Sequence, residues 1–186
     1  MGRMRPIIIA GNWKMNGLPL EAGPLAVAIA AATEVPDVIR VVCPPFLALA
    51  GVRDALAGTG VQVGAQDVHP EVGGAYTGGI SAQMLTGLAT WAIVGHSERR
   101  RDQAETDAVI GSKLVRCAEA GLRPILCVGE QLAEREAGSA EATVQSQLEG
   151  ALAVVLRTGA WPADLVVAYE PVWAIGTGKV ARPQDA

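Results

Sequence analysis

An α/β fold built on parallel strands is what the sequence predicts, and two observations carry that expectation. Six short β-rich runs recur along the 186 residues, at 7–9, 38–43, 61–65, 90–94, 124–128 and 165–169. They are too short for helices and rich in β-branched residues, as strands covered on both faces are. Helix-like stretches separate them, at 21–32, 46–57, 81–88, 107–120 and 139–156. Strand alternating with helix implies parallel strands joined by right-handed crossovers. No linker, charge block or low-complexity tract interrupts the series, so residues 1–186 are read as one domain.

Each element has a local reason. The 21–32 stretch is rich in alanine, and 46–57 follows a Cys43-Pro44-Pro45 corner with apolar residues at helical spacing. Ser81 is a candidate N-cap for 81–88, and Ser139 for 139–156. The 107–120 helix should stop at Gly121, which can take the left-handed conformation of a C-terminal cap. Six units in 186 residues give about 31 residues per unit, and eight such units would need about 248, the usual size of a closed (β/α)8 barrel. A doubly wound sheet is complete with five or six strands, so length alone favours that architecture.

Half of the residues are hydrophobic and 18 % are charged, enough for a sizeable core. The formal charge of −4 gives no support for nucleic acid or an anionic membrane as partner. Cys43, Cys117 and Cys127 form no CxxC pair and read as reduced thiols of a cytoplasmic protein. Arg3 and Arg5 precede an apolar run too short for a signal peptide, and no other apolar run approaches a membrane span of about 20 residues. The two histidines, His69 and His96, lie far apart among dispersed cysteines, so no metal site is expected.

Polar residues gather where the strands end. The first run leads into Gly11-Asn12-Trp13-Lys14-Met15-Asn16. In an extended chain Asn12 and Lys14 share a face, where an amide and an ammonium can grip an anion or a polarised oxygen. The fourth run leads into Gly95-His96-Ser97-Glu98-Arg99-Arg100. A helix starting at Ser97 would aim its first N–H groups at the imidazole and keep the ring neutral. The fifth ends at Gly129-Glu130, where the acid reads as a brace between loops. His69 reads as structural or solvated, and Gly73-Gly74-Ala75-Tyr76-Thr77-Gly78-Gly79 as a protruding loop. The sixth run ends in Glu170-Pro171-Val172-Trp173-Ala174-Ile175-Gly176-Thr177-Gly178-Lys179. A carboxylate, a rigid corner, two bulky apolar residues and a flexible end suggest a base with a cover. The Gly176–Lys179 segment is not a P-loop, because Trp173 and Val180 stand where glycine and a hydroxyl residue are required.

Taken together, these strand-end motifs closely resemble those of the triosephosphate isomerase family, from the first strand to the last residue. The resemblance implies a (β/α)8 TIM barrel that is incomplete here, with six βα units present and strands seven and eight absent. It implies interconversion of dihydroxyacetone phosphate and D-glyceraldehyde 3-phosphate through an enediol, without metal or cofactor. Glu170 would be the base, His96 the neutral electrophile, Lys14 the fixed positive charge and Glu98 its orienting partner. Asn12 and Lys14 would bind substrate, and residues 171–179 would close as a lid that offers the Gly176 N–H to the phosphate. Residues 73–79 would form the loop of a homodimer, although Gly79 stands where the family commonly has a reaching glutamate. With no seventh and eighth units, strands one and six keep open edges, and the chain alone is expected to have little activity. The alternatives are another sugar-phosphate isomerase, or an inactive partial-barrel scaffold needing a complementing chain.

Overall fold

The computed structural model describes residues 5–185, so Arg3 and Ala186 lie outside it. Six parallel strands form one curled sheet: β1 (Ile7–Asn12), β2 (Val38–Cys43), β3 (Gln62–Ala65), β4 (Trp91–Val94), β5 (Arg123–Val128) and β6 (Val166–Tyr169). Their order in the sheet is their order in the chain. The helices α1 (Pro19–Ala32), α2 (Leu49–Ala55), α3 (Ser97–Asp102), α4 (Asp107–Ala120), α5 (Leu132–Glu136) and α6 (Ala140–Thr158) lie between them. This is a partial (β/α) barrel, not a doubly wound sheet: the strand order never reverses.

Side-chain alternation makes the two faces of the sheet. Val42, Ala92, Val94, Leu126 and Val128 face the helices and join one core cluster. Their neighbours Val41, Cys43, Trp91, Ile93, Ile125 and Cys127 form a second cluster on the other face. This period of two is what fills a barrel interior while its outside receives helices. The expectation of strands covered on both faces holds for the middle of the sheet and fails at its edges. All four residues of β4 are buried, whereas Ile7 and Ile9 of β1 are 61 % and 62 % exposed and Val167 of β6 is 47 % exposed. The reason is geometric, since among the described residues β1 pairs only with β2 and β6 only with β5.

Three helical expectations need correction. The 46–57 stretch is a 3-10 turn, Phe46–Ala48, followed by α2. Residues 81–88 form only a 3-10 turn, Gln83–Leu85, because the chain leaves the helical region at Thr86 and turns left-handed at Gly87. Ser139 precedes α6 as expected, but its hydroxyl donates to the Glu134 carbonyl and caps no helical N–H. Two helices, α3 and α5, lie in stretches where periodicity gave no helix. Gly121 adopts the left-handed cap, with φ of 70°.

Candidate active site

The carboxyl ends of β1, β4 and β6 bring most of the sequence-predicted residues together. His96 follows Gly95, whose φ of 71° turns the chain sharply from β4 into α3. A side chain at Gly95 would also press on Ile110 and on the Cys127 carbonyl, at 3.1 and 3.2 Å. His96 is the N-cap of α3. Its Nδ1 accepts the backbone N–H of Glu98 at 3.2 Å, and its Nε2 lies 3.0 Å from Glu170 Oε1. An accepting Nδ1 carries a lone pair and an Nε2 facing a carboxylate carries the hydrogen, so the ring is the neutral Nε2–H tautomer. Glu98 Oε2 is 3.6 Å from Nδ1, beyond hydrogen-bond reach.

Glu170 is held from two sides. Its Oε2 accepts the Ser97 N–H at 3.0 Å while Oε1 faces His96. Its backbone extends the sheet, with the Glu170 N–H donating to the Val128 carbonyl at 2.8 Å. Gly129 makes this approach possible, because a Cβ there would collide with the Glu170 carbonyl. The Gln147 side chain fixes Gly129 through both its N–H and its carbonyl, at 2.9 and 3.0 Å. Burial pushes the Glu170 carboxyl upward, but the bonds from His96 and Ser97 outweigh it and hold the pKa below the ordinary glutamate value.

Lys14 reaches the same cluster by an unexpected route. Strand β1 ends at Asn12, and Lys14 has a left-handed φ of 52°, so the two residues are not alternate positions of one extended chain. Asn12 instead folds back, its Oδ1 accepting the Lys14 N–H at 3.0 Å. The Lys14 ammonium meets Glu98 Oε1 at 2.9 Å. Both partners are about one third exposed, as groups facing an open cleft are. Helix α3 is therefore a shared anchor, presenting Ser97 N–H to the base, Glu98 N–H to the imidazole and Glu98 carboxylate to the lysine. It is itself anchored by Arg99, which pairs with Asp67 at 2.9 Å and Glu105 at 2.6 Å.

Residues 171–179, expected to close as a lid, begin with a 3-10 turn, Val172–Ala174, followed by an exposed stretch that includes Gly176. Ile175 and Thr177 border a groove of about 450 Å³ shared with Ser97, Arg100 and Gln131. Gly176 makes no hydrogen bond with Asn12, Lys14, His96 or Glu170 among the described residues. The fully buried Glu130 ties the lid's root together, its Oε1 accepting from Arg135, Tyr169 and Trp173 at 2.9, 3.0 and 2.8 Å. Burial opposes its ionisation, yet these donors and a backbone bond lower its pKa. Arg135 and Tyr169 went unnoticed in the sequence, and the Ser97 N–H was expected to serve the imidazole, not Glu170. Tyr169 left a trace there, as an aromatic hydroxyl inside a strand.

Residues 71–78 are exposed, and Tyr76 packs on His69 with ring centroids 4.5 Å apart. His69 Nδ1 accepts the Glu71 N–H at 3.1 Å, a structural use of that ring. Among the described residues no group of three His, Cys, Asp or Glu side chains is placed to hold a metal ion, and no helix is long and apolar enough to cross a membrane.

A curled parallel sheet with its polar groups at the strands' carboxyl ends defines a barrel enzyme of the (β/α) class. Within that class, the chain belongs to the triosephosphate isomerase family, whose sequence profile matches residues 7–186. It is 50 % identical to the triosephosphate isomerase of Afipia carboxidovorans over 186 residues, covering 99 % of this chain and 72 % of that protein. The enzymes of Hahella chejuensis and Thermus thermophilus are 47 % and 48 % identical, with 98 % of this chain and 73 % of each relative covered.

Proposed function

We propose that this chain carries the acid–base half of an intramolecular oxidoreductase, an aldose–ketose isomerase acting on triose phosphates. One observation carries the reading: a half-buried carboxylate faces a neutral imidazole whose tautomer is fixed by a helix N–H. Glu170 takes a proton from the carbon beside the substrate carbonyl while the His96 Nε2–H donates to the carbonyl oxygen. The electron pair left on carbon moves into an enediolate, and the proton returns to the neighbouring carbon. Lys14 offsets the charge on oxygen and on the phosphate, with Glu98 orienting it and Asn12 as amide donor. No cofactor enters this scheme.

In the pairing seen here, base and electrophile bind each other. Substrate entering between them takes the His96 hydrogen and removes the bond that lowers the Glu170 pKa. Burial then dominates and the carboxylate becomes a stronger base, the more so when residues 171–179 close and expel water. In that closed position Gly176 would reach the phosphate.

Residues 1–186 are proposed to act as one cytoplasmic domain that pairs through residues 73–79 into a homodimer. The exposure of that loop supports this. A Cβ at Gly79 would lie 3.0 Å from the Tyr76 carbonyl and 3.1 Å from His69, so this loop is shaped around the missing side chain. A weaker dimer is expected. The open edges of β1 and β6 favour a second reading, in which the 186 residues alone are a nearly inactive scaffold that needs a complementing chain.

Conversion of glyceraldehyde 3-phosphate in deuterated water tests both readings. Slow turnover is expected from the 186-residue chain, rising when a polypeptide with a seventh and an eighth βα unit is added, with solvent deuterium appearing in the product. Full turnover by the chain alone would refute the scaffold reading. Absence of turnover and of exchange in either form would refute the isomerase reading.

A further inference from the structure

We propose that Gln66 is a positioning residue for Lys14, its carboxamide holding the lysine backbone in the left-handed conformation from which the ammonium enters the site. The proposal rests on the role given to Lys14 above. Lysine has no local means of stabilising a positive φ, unlike glycine, asparagine or aspartate, so the conformation must be held by neighbours. The structure shows that hold on both sides of the residue. Asn12 Oδ1 takes the Lys14 N–H at 3.0 Å, and Gln66 Nε2 donates to the Lys14 carbonyl at 2.9 Å.

The second hydrogen of the same Nε2 goes to the Cys43 carbonyl at 2.8 Å. Both partners are carbonyl oxygens, which only accept, so the amide nitrogen must face them and the side chain has a single productive orientation. Cys43 closes β2, and its carbonyl also accepts the Trp13 N–H at 3.1 Å. Gln66 follows directly on β3. One carboxamide thus spans the carboxyl ends of three consecutive strands and fixes the peptide that carries the ammonium. Glu98 orients the charged end of Lys14, but an ion pair between two partly exposed groups is worth little by itself, so it needs a fixed stem. The backbone supplies that stem.

The test combines Gln66→Met, which keeps size and removes both donors, with two readouts on the 186-residue protein. The first is the NMR signature of the Lys14 backbone, its Cα and Cβ shifts and HN–Hα coupling, which needs no catalysis. Gln66→Met is expected to abolish the left-handed signature, and its persistence would overturn the proposal. The second is affinity for a phosphorylated hydroxamate that mimics the enediolate. Gln66→Met should weaken it roughly five- to tenfold in the parent and not at all in Lys14→Met. Equal weakening in both backgrounds would mean that Gln66 does not act through Lys14. If the parent fails to bind the mimic, the isomerase reading falls while the backbone signature still decides the part of Gln66. Should Gln66→Met fail to fold, Lys14→Gly is added, since glycine takes positive φ freely. Recovery of folding supports the proposal, and continued unfolding overturns it.

Discussion

Strand β4 is buried along its whole length, while β1 at the sheet's edge leaves Ile7 and Ile9 more than half exposed. The candidate site draws on both kinds of strand. His96 stands on the buried middle, whereas Lys14 follows β1 and Glu170 follows β6. The histidine needs only its own turn and helix to set its tautomer. The lysine and the glutamate, on flanks with one neighbour each, are tied inward by side chains and backbone N–H groups: Glu98 and Gln66 for the first, His96 and Ser97 for the second. A flank can therefore carry precise chemistry if its geometry is borrowed from the middle. Because all of these ties except that of Gln66 converge on the first turn of α3, the site's halves share one support.

The largest effect should come from removing the base. Glu170→Gln is expected to reduce turnover by about 10²- to 10⁴-fold, measured in the most active form of the protein. Its fold should survive, because an amide oxygen can still accept the Ser97 N–H. Lys14→Met should cost about 10²- to 10³-fold, with the Glu98 carboxylate left facing solvent. If this loss is small, the β1 flank contributes less than its geometry suggests. Gly129→Ala addresses the tie between middle and flank. Its methyl collides with the Glu170 carbonyl, so denaturant unfolding should show a loss of about 1–3 kcal/mol.

A pH series separates the two flanks further. The folded-state pKa of Glu170 is depressed, so its stabilising contribution is fully present above the ordinary glutamate value and is lost as pH falls through the lower folded value. Thermal unfolding of the parent should therefore weaken more steeply on acidification than that of Glu170→Gln. Parallel curves would mean that His96 and Ser97 do not hold the carboxylate in solution. The smallest effect is expected from Ile9→Lys on the exposed edge, within about 0.5 kcal/mol in stability, with less self-association in size-exclusion chromatography.

The β-branched runs announced all six strands, the exposed β1 and β6 as well as the buried middle, because branched side chains suit the pleated backbone. Helix α3 was legible only as a start at Ser97 and not by period: Ser97-Glu98-Arg99-Arg100-Arg101-Asp102 contains no apolar residue. Helix α5 is five residues long with one large apolar side chain, Leu132, too brief for any period. His96 and Glu170 were legible because a polar group at the end of a buried run has few structural uses. The left-handed Lys14 was not, since its conformation is imposed by Asn12 and Gln66 and runs against the preference of its own residue type. Extended spacing placed Asn12 and Lys14 on one face by an argument the structure does not follow, although the ammonium still reaches Glu98.

The match between strand order and chain order bears on how the molecule is made. Each strand pairs with the one translated just before it, so every sheet contact joins consecutive units and loop closure is cheap at each step. The sheet can grow at a single advancing edge as the polypeptide leaves the ribosome, with α4 and α6 packing behind β5 as it grows. His96 and its helix are complete before the lid is synthesised. The segment carrying Glu170 emerges after them and docks onto a partner that is already in place.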